Sequence, residues 1–391
     1  MLVVVCAAVA WPTASELVPR RGGHPAGSET WTWIFFGCEL GALALYLGGL
    51  WLLRSRPPRV AVVAALACAV QLAPLGAPLL LSTDAWTYWD YGRIAAVHDE
   101  SPYDTPPIAF PRDPAFPYTG TGWRDTTTVY GPLFTLASEP AALAAGSSHS
   151  AAAWIYKVLG ALAVLASAAL AVVLARGKAF ACAFVGWNPL LAVHFAGGGH
   201  NDAWMSALVL AALVLAARGR LQAAGVAWAA AIFVKWVPLL FLPLRALEAR
   251  ATGRRVAHLG FGITAIAIAV LASWRYGTGW LDFLGPLARN ANRETRFAVP
   301  HRLAGLGIPH PVAVGVMVGL FVVAYLWLCR EARRGRARLG LAAALGLLAT
   351  PYLAAWYVIW AAPLAAAEED GLAQVIVLAL SCYLVRQTVP L

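Results

Sequence analysis

Charge is what this sequence lacks. Only 12% of its 391 residues are Asp, Glu, Lys or Arg, while 60% are hydrophobic; a soluble domain carries about a quarter charged residues. A water-soluble enzyme with a single anchor is thereby excluded, and the chain reads as one that crosses a bilayer many times. Lysine is nearly missing, with Lys157, Lys178 and Lys235 the only three. The net charge of +10 therefore comes from arginine, most of it in short clusters between apolar runs. Such clusters anchor topology. A nucleic-acid binder would instead need a solvated basic face, so no nucleic-acid partner is expected. Paired cysteines are lacking too. Cys6, Cys38, Cys68, Cys182, Cys329 and Cys382 stand singly with no CxxC or Cys/His pair, and read as small buried hydrophobes.

What is present is a series of apolar runs near 32–53, 59–81, 151–175, 179–196, 202–217, 256–274, 311–329, 339–362 and 371–387. The fold class expected is an all-α, polytopic transmembrane bundle of about nine to eleven spans. Arginine-rich connections mark one side as cytoplasmic: Arg54, Arg56 and Arg59; Arg176 with Lys178; Arg218 and Arg220; Arg245 to Arg255; Arg330 to Arg338. The loops 82–150 and 275–310 then fall outside, as do nearly all the acids, including Glu368, Glu369 and Asp370. Segment 221–249 has arginines on both flanks, so a single crossing breaks the parity. With Lys235 and Pro238 near its middle, it reads as a re-entrant hairpin of two half-length helices. Residues 1–30 read as an extracytoplasmic segment, either interfacial or the remnant of a truncated span. MLVVVCAAVAW is too short to cross, and no basic n-region marks a signal peptide. Residues 31–391 read as one integral membrane domain.

Polar chemistry concentrates at a few places. STDAWTYWDYGR, residues 82–93, opens the longest outside loop directly after an apolar run. Its aromatics suit an interfacial helix and a Pro-rich connector. Asp84, one turn past the hydrocarbon, suits a general base whose pKa desolvation would raise. Asp90 lies roughly 240° around a helix from Asp84 and need not share its face; Arg93 offers a donor fork for phosphate. In WNPLLAVHFAGGGHNDAWM (187–205), Asn188-Pro189 breaks the run and three glycines make a tight turn before His200, Asn201 and Asp202. Asn201 or Asp202 is a natural N-cap, which accounts for one of the three residues. His194, His200 and Asp202 make only a weak metal signal. Glu39, Lys157 and Lys235 are costly within spans and are functional candidates by default, although Lys157 is near enough to a span end to snorkel. Arg289, Arg293 and Arg296 fall at i, i+4 and i+7, and with Arg302 they put an arginine stripe outside, suited to an anionic ligand. TPYLAAWYVIWAAP (350–363), with Trp356 and Tyr357, reads as interfacial aromatics around two prolines.

DAWTYWDYGRIAAVHDESPYD, TVYGPLF with its Tyr130, GGGHNDAWM, VKWVPLLFLP and AAWYVIWAAP follow one another in this order. Together they resemble the polytopic glycosyltransferases of the GT-C superfamily, in particular the polyprenyl-phosphate-mannose-dependent mannosyltransferases and glycosyltransferase family 87. The resemblance covers roughly residues 80–365. It implies inverting transfer of a sugar, mannose by family, from a polyprenyl-phosphate donor to a glycan or glycolipid hydroxyl. The site implied is extracytoplasmic, at the plasma membrane, with the first outside loop's aspartate, here Asp84, as base, a role Asp90 could exchange with it. A phosphate-linked sugar already has a good leaving group, so one base and some cations suffice and neither general acid nor cofactor is required. The cation pool for the phosphate is Arg93, Arg289, Arg293, Arg296, Arg302 and Lys235, with His200. A transporter or flippase of lipid-linked sugars is the alternative class, since intramembrane charges and broken helices mark those as well.

Overall fold

In the computed structural model residues 2–10, 17–21, 29–254, 258–282, 285 and 295–388 are described. Among them the secondary structure is helical throughout, without a strand, as long unalternating apolar runs dictate. The first helices are α1 (Leu2–Ala10), α2 (Glu29–Ser55), α3 (Val60–Leu72), α4 (Asp84–Ala96), α5 (Pro132–Ala145) and α6 (His149–Leu174). Next come α7 (Ala179–Gly186), α8 (Pro189–Ala192), α9 (Asp202–Ala217), α10 (Leu221–Val234), α11 (Leu242–Ala251) and α12 (His258–Tyr276). The last are α13 (Val299–Ala304), α14 (His310–Arg333), α15 (Leu339–Ala349), α16 (Ala362–Ala367) and α17 (Gly371–Leu384).

Four of the described helices are long and apolar enough to cross a membrane alone: Thr30–Ser55 within α2, α6, α12 and α14. The pair Ala179–Gly186 and Pro189–Gly197, bent by 51°, is together long and apolar enough for a fifth. The bend falls at Asn188-Pro189, where the Asn188 side chain accepts from Leu190 N (3.1 Å) and starts a new helix. The other expected spans appear as apolar helices of 10–17 residues, among them Val60–Gly76, Asp202–Ala217 and Gly371–Gln387. Outward faces are apolar: Trp274 is 79% and Val323 67% exposed on α12 and α14, surfaces that belong in lipid rather than water. The chain is an all-α, polytopic membrane protein.

The parity problem resolves as expected. α10 and α11 run out and back, joined by 235–241, where Lys235 is extended and Pro238 starts a short 3-10 turn. The return is visible at the base. Gln222 Oε1, at the start of α10, accepts from Gly260 N at the start of α12 (2.7 Å), while Glu248 Oε1 near the end of α11 accepts from Ala337 N (3.2 Å). Both helix ends therefore lie at the arginine-bearing end of the bundle.

A second hairpin was not expected. Segment 339–362 read as a crossing that leaves Glu368, Glu369 and Asp370 outside. Instead α15 rises, the chain turns through a 3-10 segment (Ala355–Trp360), and α16 returns. Glu368 then accepts from Leu339 N (2.8 Å) and Gly340 N (2.9 Å), capping the helix at which the hairpin began. Asp370 forms a two-point pair with Arg338 (2.6 and 2.7 Å) and Glu369 meets Lys178 (2.5 Å). These acids thus sit among the arginines. Acids contribute little to topology, and here each is bound to a cation or to orphan helix N–H groups.

Lys157 also departs from expectation. It does not snorkel: it is 1% exposed and donates to the carbonyls of Leu75, Ala77 and Pro78, where the chain leaves the α3 turn. Glu39 is fully buried in α2.

Candidate active site

Asp84 is the first residue of α4, its N–H donating to Ser82 Oγ (3.1 Å). The helix lies across the acidic end of the bundle, packed on α5 and α6. One turn on, Tyr88 directs its hydroxyl to Asp84 Oδ2 (3.4 Å), the i, i+4 neighbour that a helix provides. The glycine turn 197–199 delivers the opposing wall. Gly199 has φ +70°, and a Cβ there would stand 3.1 Å from Ala85 Cβ and 3.3 Å from Tyr156 Cβ. Only glycine lets this turn close against α4 and α6. His200 thereby brings Nδ1 to 3.1 Å from Asp84 Oδ2, with its ring stacked on Trp356 at 3.7 Å and 13°. Trp356 comes from the tip of the second hairpin.

The first hairpin contributes Lys235. Its Nζ is 2.6 Å from Asp202 Oδ1, an oxygen that also accepts from Trp360 Nε1 (2.6 Å). The ammonium stands 5.7, 5.1 and 5.5 Å from the ring centres of Tyr130, Tyr357 and Trp360, an aromatic surround for a cation. Tyr130 arrives because Gly131 allows backbone contact. Gly131 N donates to Val234 O (3.1 Å), and a Cβ there would lie 2.1 Å from Phe233 O. Asp202, His200 and Asn201 are 0, 0 and 1% exposed, whereas the Asp84 and Lys235 side chains keep 17 and 16%. Solvent reaches the last two and not the first three.

The electrostatics invert one expectation. Burial pushes the Asp84 carboxyl up, but His200, then Ser82 and Lys235, outweigh it and hold the group below the ordinary carboxylate value. Asp84 is an ionised carboxylate at neutral pH, ready to accept a proton, with an ammonium nearby. An ionised carboxylate, an ammonium and aromatic side chains thus stand together at one end of the bundle.

The family profile described as alpha-(1->6)-mannopyranosyltransferase, N-terminal domain, matches residues 2–250. The chain belongs to this family. A Mycolicibacterium smegmatis protein named "Probable alpha-(1->6)-mannopyranosyltransferase" is 28% identical over 351 residues, 74% of this chain and 62% of that one. Alpha-(1->6)-mannopyranosyltransferase A of Mycobacterium tuberculosis is 28% identical over 340 residues, 75% of this chain and 64% of its own. The Corynebacterium glutamicum protein of that name is 24% identical over 308 residues, covering 68% and 62%. The chain thus spans under two thirds of the length of these relatives. No solved structure matches it.

Within this mannopyranosyltransferase-family chain, the structure brings together Asp84, Tyr130, His200, Asn201, Asp202, Lys235, Trp356 and Tyr357, drawn from all five sequence motifs. It places the others elsewhere. Asp90 is 1% exposed on the far side of α4 and accepts from Thr119 Oγ1 (2.5 Å); burial first, then the negative charge of Asp113, raises its pKa to about 7. The Arg93 fork is occupied: Nε meets Asp113 Oδ1 (2.7 Å) and Nη1 donates to Gly146 O (2.8 Å). Asp113 also meets His98 (2.7 Å), and burial of its carboxyl is outweighed by Arg93, so its pKa is lowered. Arg93 is thus a staple of the loop 82–150. Arg302 donates to Tyr383 (3.0 Å), and Arg296 and Arg302 both lie over Phe297 (5.0 and 5.4 Å). Arg289 and Arg293 lie outside the described residues. Asn201 occupies the N-cap of α9 without a side-chain capping bond.

Two site residues escaped sequence reasoning. Tyr88 stands four residues after Asp84, a spacing that signals contact on a helix. Trp360 was read with its neighbours as belt aromatics. Its contact with Asp202 depends on the second hairpin, for which the arginine pattern gave no sign.

Proposed function

We propose that this chain forms the catalytic membrane part of an inverting mannosyltransferase, taking mannose from a polyprenyl-phosphate donor on the extracytoplasmic face of the plasma membrane. The observation that carries the reading is the pairing of one ionised, partly exposed carboxylate, Asp84, with one partly exposed ammonium, Lys235, at the same end of the bundle. Asp84 takes the proton of the acceptor hydroxyl as its oxygen attacks the anomeric carbon. The bond from that carbon to the phosphate oxygen breaks, its electron pair leaving with the polyprenyl phosphate. Lys235 offsets the developing phosphate charge. Trp356 and Tyr357 wall the space in which a sugar ring would lie. Attack opposite the leaving group inverts the anomeric centre, and the likeness to relatives named as alpha-(1->6)-mannopyranosyltransferases supports an alpha-(1->6) product and a glycan acceptor.

The transporter reading fits less well. The polar groups gather at one end of the bundle, at the tips of two re-entrant hairpins, and not at a midplane between repeats. The test is incubation of the protein in nanodiscs with polyprenyl-phosphate mannose and a mannan acceptor, with the new linkage read by NMR. A new alpha-(1->6) bond supports the proposal. Movement of the donor across a liposome bilayer with no new bond would replace it with the transporter.

A further inference from the structure

We propose that His200 is the positioning residue of Asp84: it holds the carboxylate in one orientation and does not contact the donor phosphate. The inference rests on the reading of Asp84 as the base. The ring is locked. One face stacks on Trp356 at 3.7 Å, and the Nε2 edge lies against the glycine turn, where a Cβ on Gly198 would be 3.2 Å from Nε2. Both ring nitrogens are sealed from solvent and the residue is 0% exposed. An incoming phosphate has no approach to either nitrogen unless Trp356 or the turn is displaced. Nδ1 nevertheless lies 3.1 Å from Asp84 Oδ2, a charge contact rather than an aligned hydrogen bond, on a carboxylate that is partly exposed.

Other groups also face Asp84. Tyr88 is at 3.4 Å, and Ser82 and Lys235 favour the carboxylate after His200, although Lys235 is itself bonded to Asp202; Tyr130 and Tyr357 face the carboxylate through charge alone. His194 backs the arrangement, its ring centre 5.8 Å from that of His200 and 5.5 Å from that of Trp356. A base whose rotamer is held by a buried partner keeps its lone pair aimed at the acceptor through each turnover, the logic of an oriented base.

His200→Phe retains the stack on Trp356 and removes the nitrogen, while His200→Gln retains an N–H donor. The primary readout is the pH at which Asp84 protonates, followed by carbodiimide labelling and mass spectrometry of the protein in nanodiscs. It needs no turnover, so it stands apart from the test of the transferase reading. The midpoint moves up by about one unit or more in His200→Phe and stays near wild type in His200→Gln. With polyprenyl-phosphate mannose, His200→Phe then shifts the acid limb of kcat/KM by the same amount, with donor KM within about twofold. An unmoved labelling midpoint overturns the proposal, as does a donor KM raised about tenfold with an unmoved acid limb. The second result would return His200 to the phosphate.

Discussion

Lys235 Nζ stands 2.6 Å from Asp202 Oδ1. The tip of a re-entrant hairpin and the first turn of α9, 33 residues apart, therefore meet at the acidic end of the bundle. Asp202 also holds Trp360 of the second hairpin. A single buried carboxylate thus ties both hairpin tips together, fixing the ammonium's distance from the partly exposed Asp84.

Removing the cation should separate stability from donor binding. Lys235→Met leaves Asp202 buried with only the indole, and breaking a buried pair costs roughly 3–5 kcal/mol. A lowered Tm in detergent and a donor KM raised about tenfold or more are expected. The double variant Lys235→Met/Asp202→Asn should recover Tm without recovering KM. If donor KM stays at the wild-type value in both, Lys235 is not the phosphate cation.

Arg93 should behave in the opposite way. Arg93→Ala leaves Asp113, a carboxylate 1% exposed at its side chain, with His98 and the Ala115 N–H as its remaining partners, so Tm falls by an amount equivalent to roughly 1–3 kcal/mol. Donor KM of the folded protein should stay within about twofold. A raised KM with an unchanged Tm would make Arg93 a phosphate ligand after all.

Asp90 gives a pH signature of known sign. Its folded pKa of about 7 lies above the ordinary carboxylate value, so the folded state binds the extra proton. Stability is fully present below about pH 4 and is lost as pH rises through about 7. Asp90→Asn should therefore match wild type in Tm near pH 4 and exceed it at pH 8, by an amount equivalent to roughly a few kcal/mol at most. Equal thermal curves at both pH values would contradict the burial argument.

The two hairpins predict sidedness. In a background without the native cysteines, Thr252→Cys and Glu369→Cys should label from the same side of sealed vesicles, and Asp99→Cys from the other. Labelling of Glu369→Cys together with Asp99→Cys would restore a single crossing at 339–362.

Much of this was legible in the sequence because hydrocarbon imposes strong rules. Low charge and long apolar runs gave the fold class, and the arginines flanking 221–249, with Lys235 and Pro238 near its middle, pointed to the first hairpin. Asp84, His200, Asp202 and Lys235 stood out because polar groups at a membrane boundary carry a cost. The second hairpin stayed hidden because its lower end is marked by Glu368, Glu369 and Asp370, which look extracytoplasmic until their partners Arg338, Lys178 and the α15 amides are seen. The same blindness affected the charges of the outside loop. Arg93 looked available because Asp113, 20 residues away in sequence, could not be placed beside it. The direction of the Asp84 shift was misjudged because desolvation was visible in the sequence and His200 was not.

Asp84→Asn tests the account most directly. The substitution keeps size and the contact with Ser82, and removes the proton acceptor. With polyprenyl-phosphate mannose and a mannan acceptor, transfer should fall by about 10²-fold or more, while donor binding in the same preparation stays within about twofold. Transfer at the wild-type rate by Asp84→Asn would contradict the assignment of the base, and with it the reading of this end of the bundle as the place where the sugar is moved.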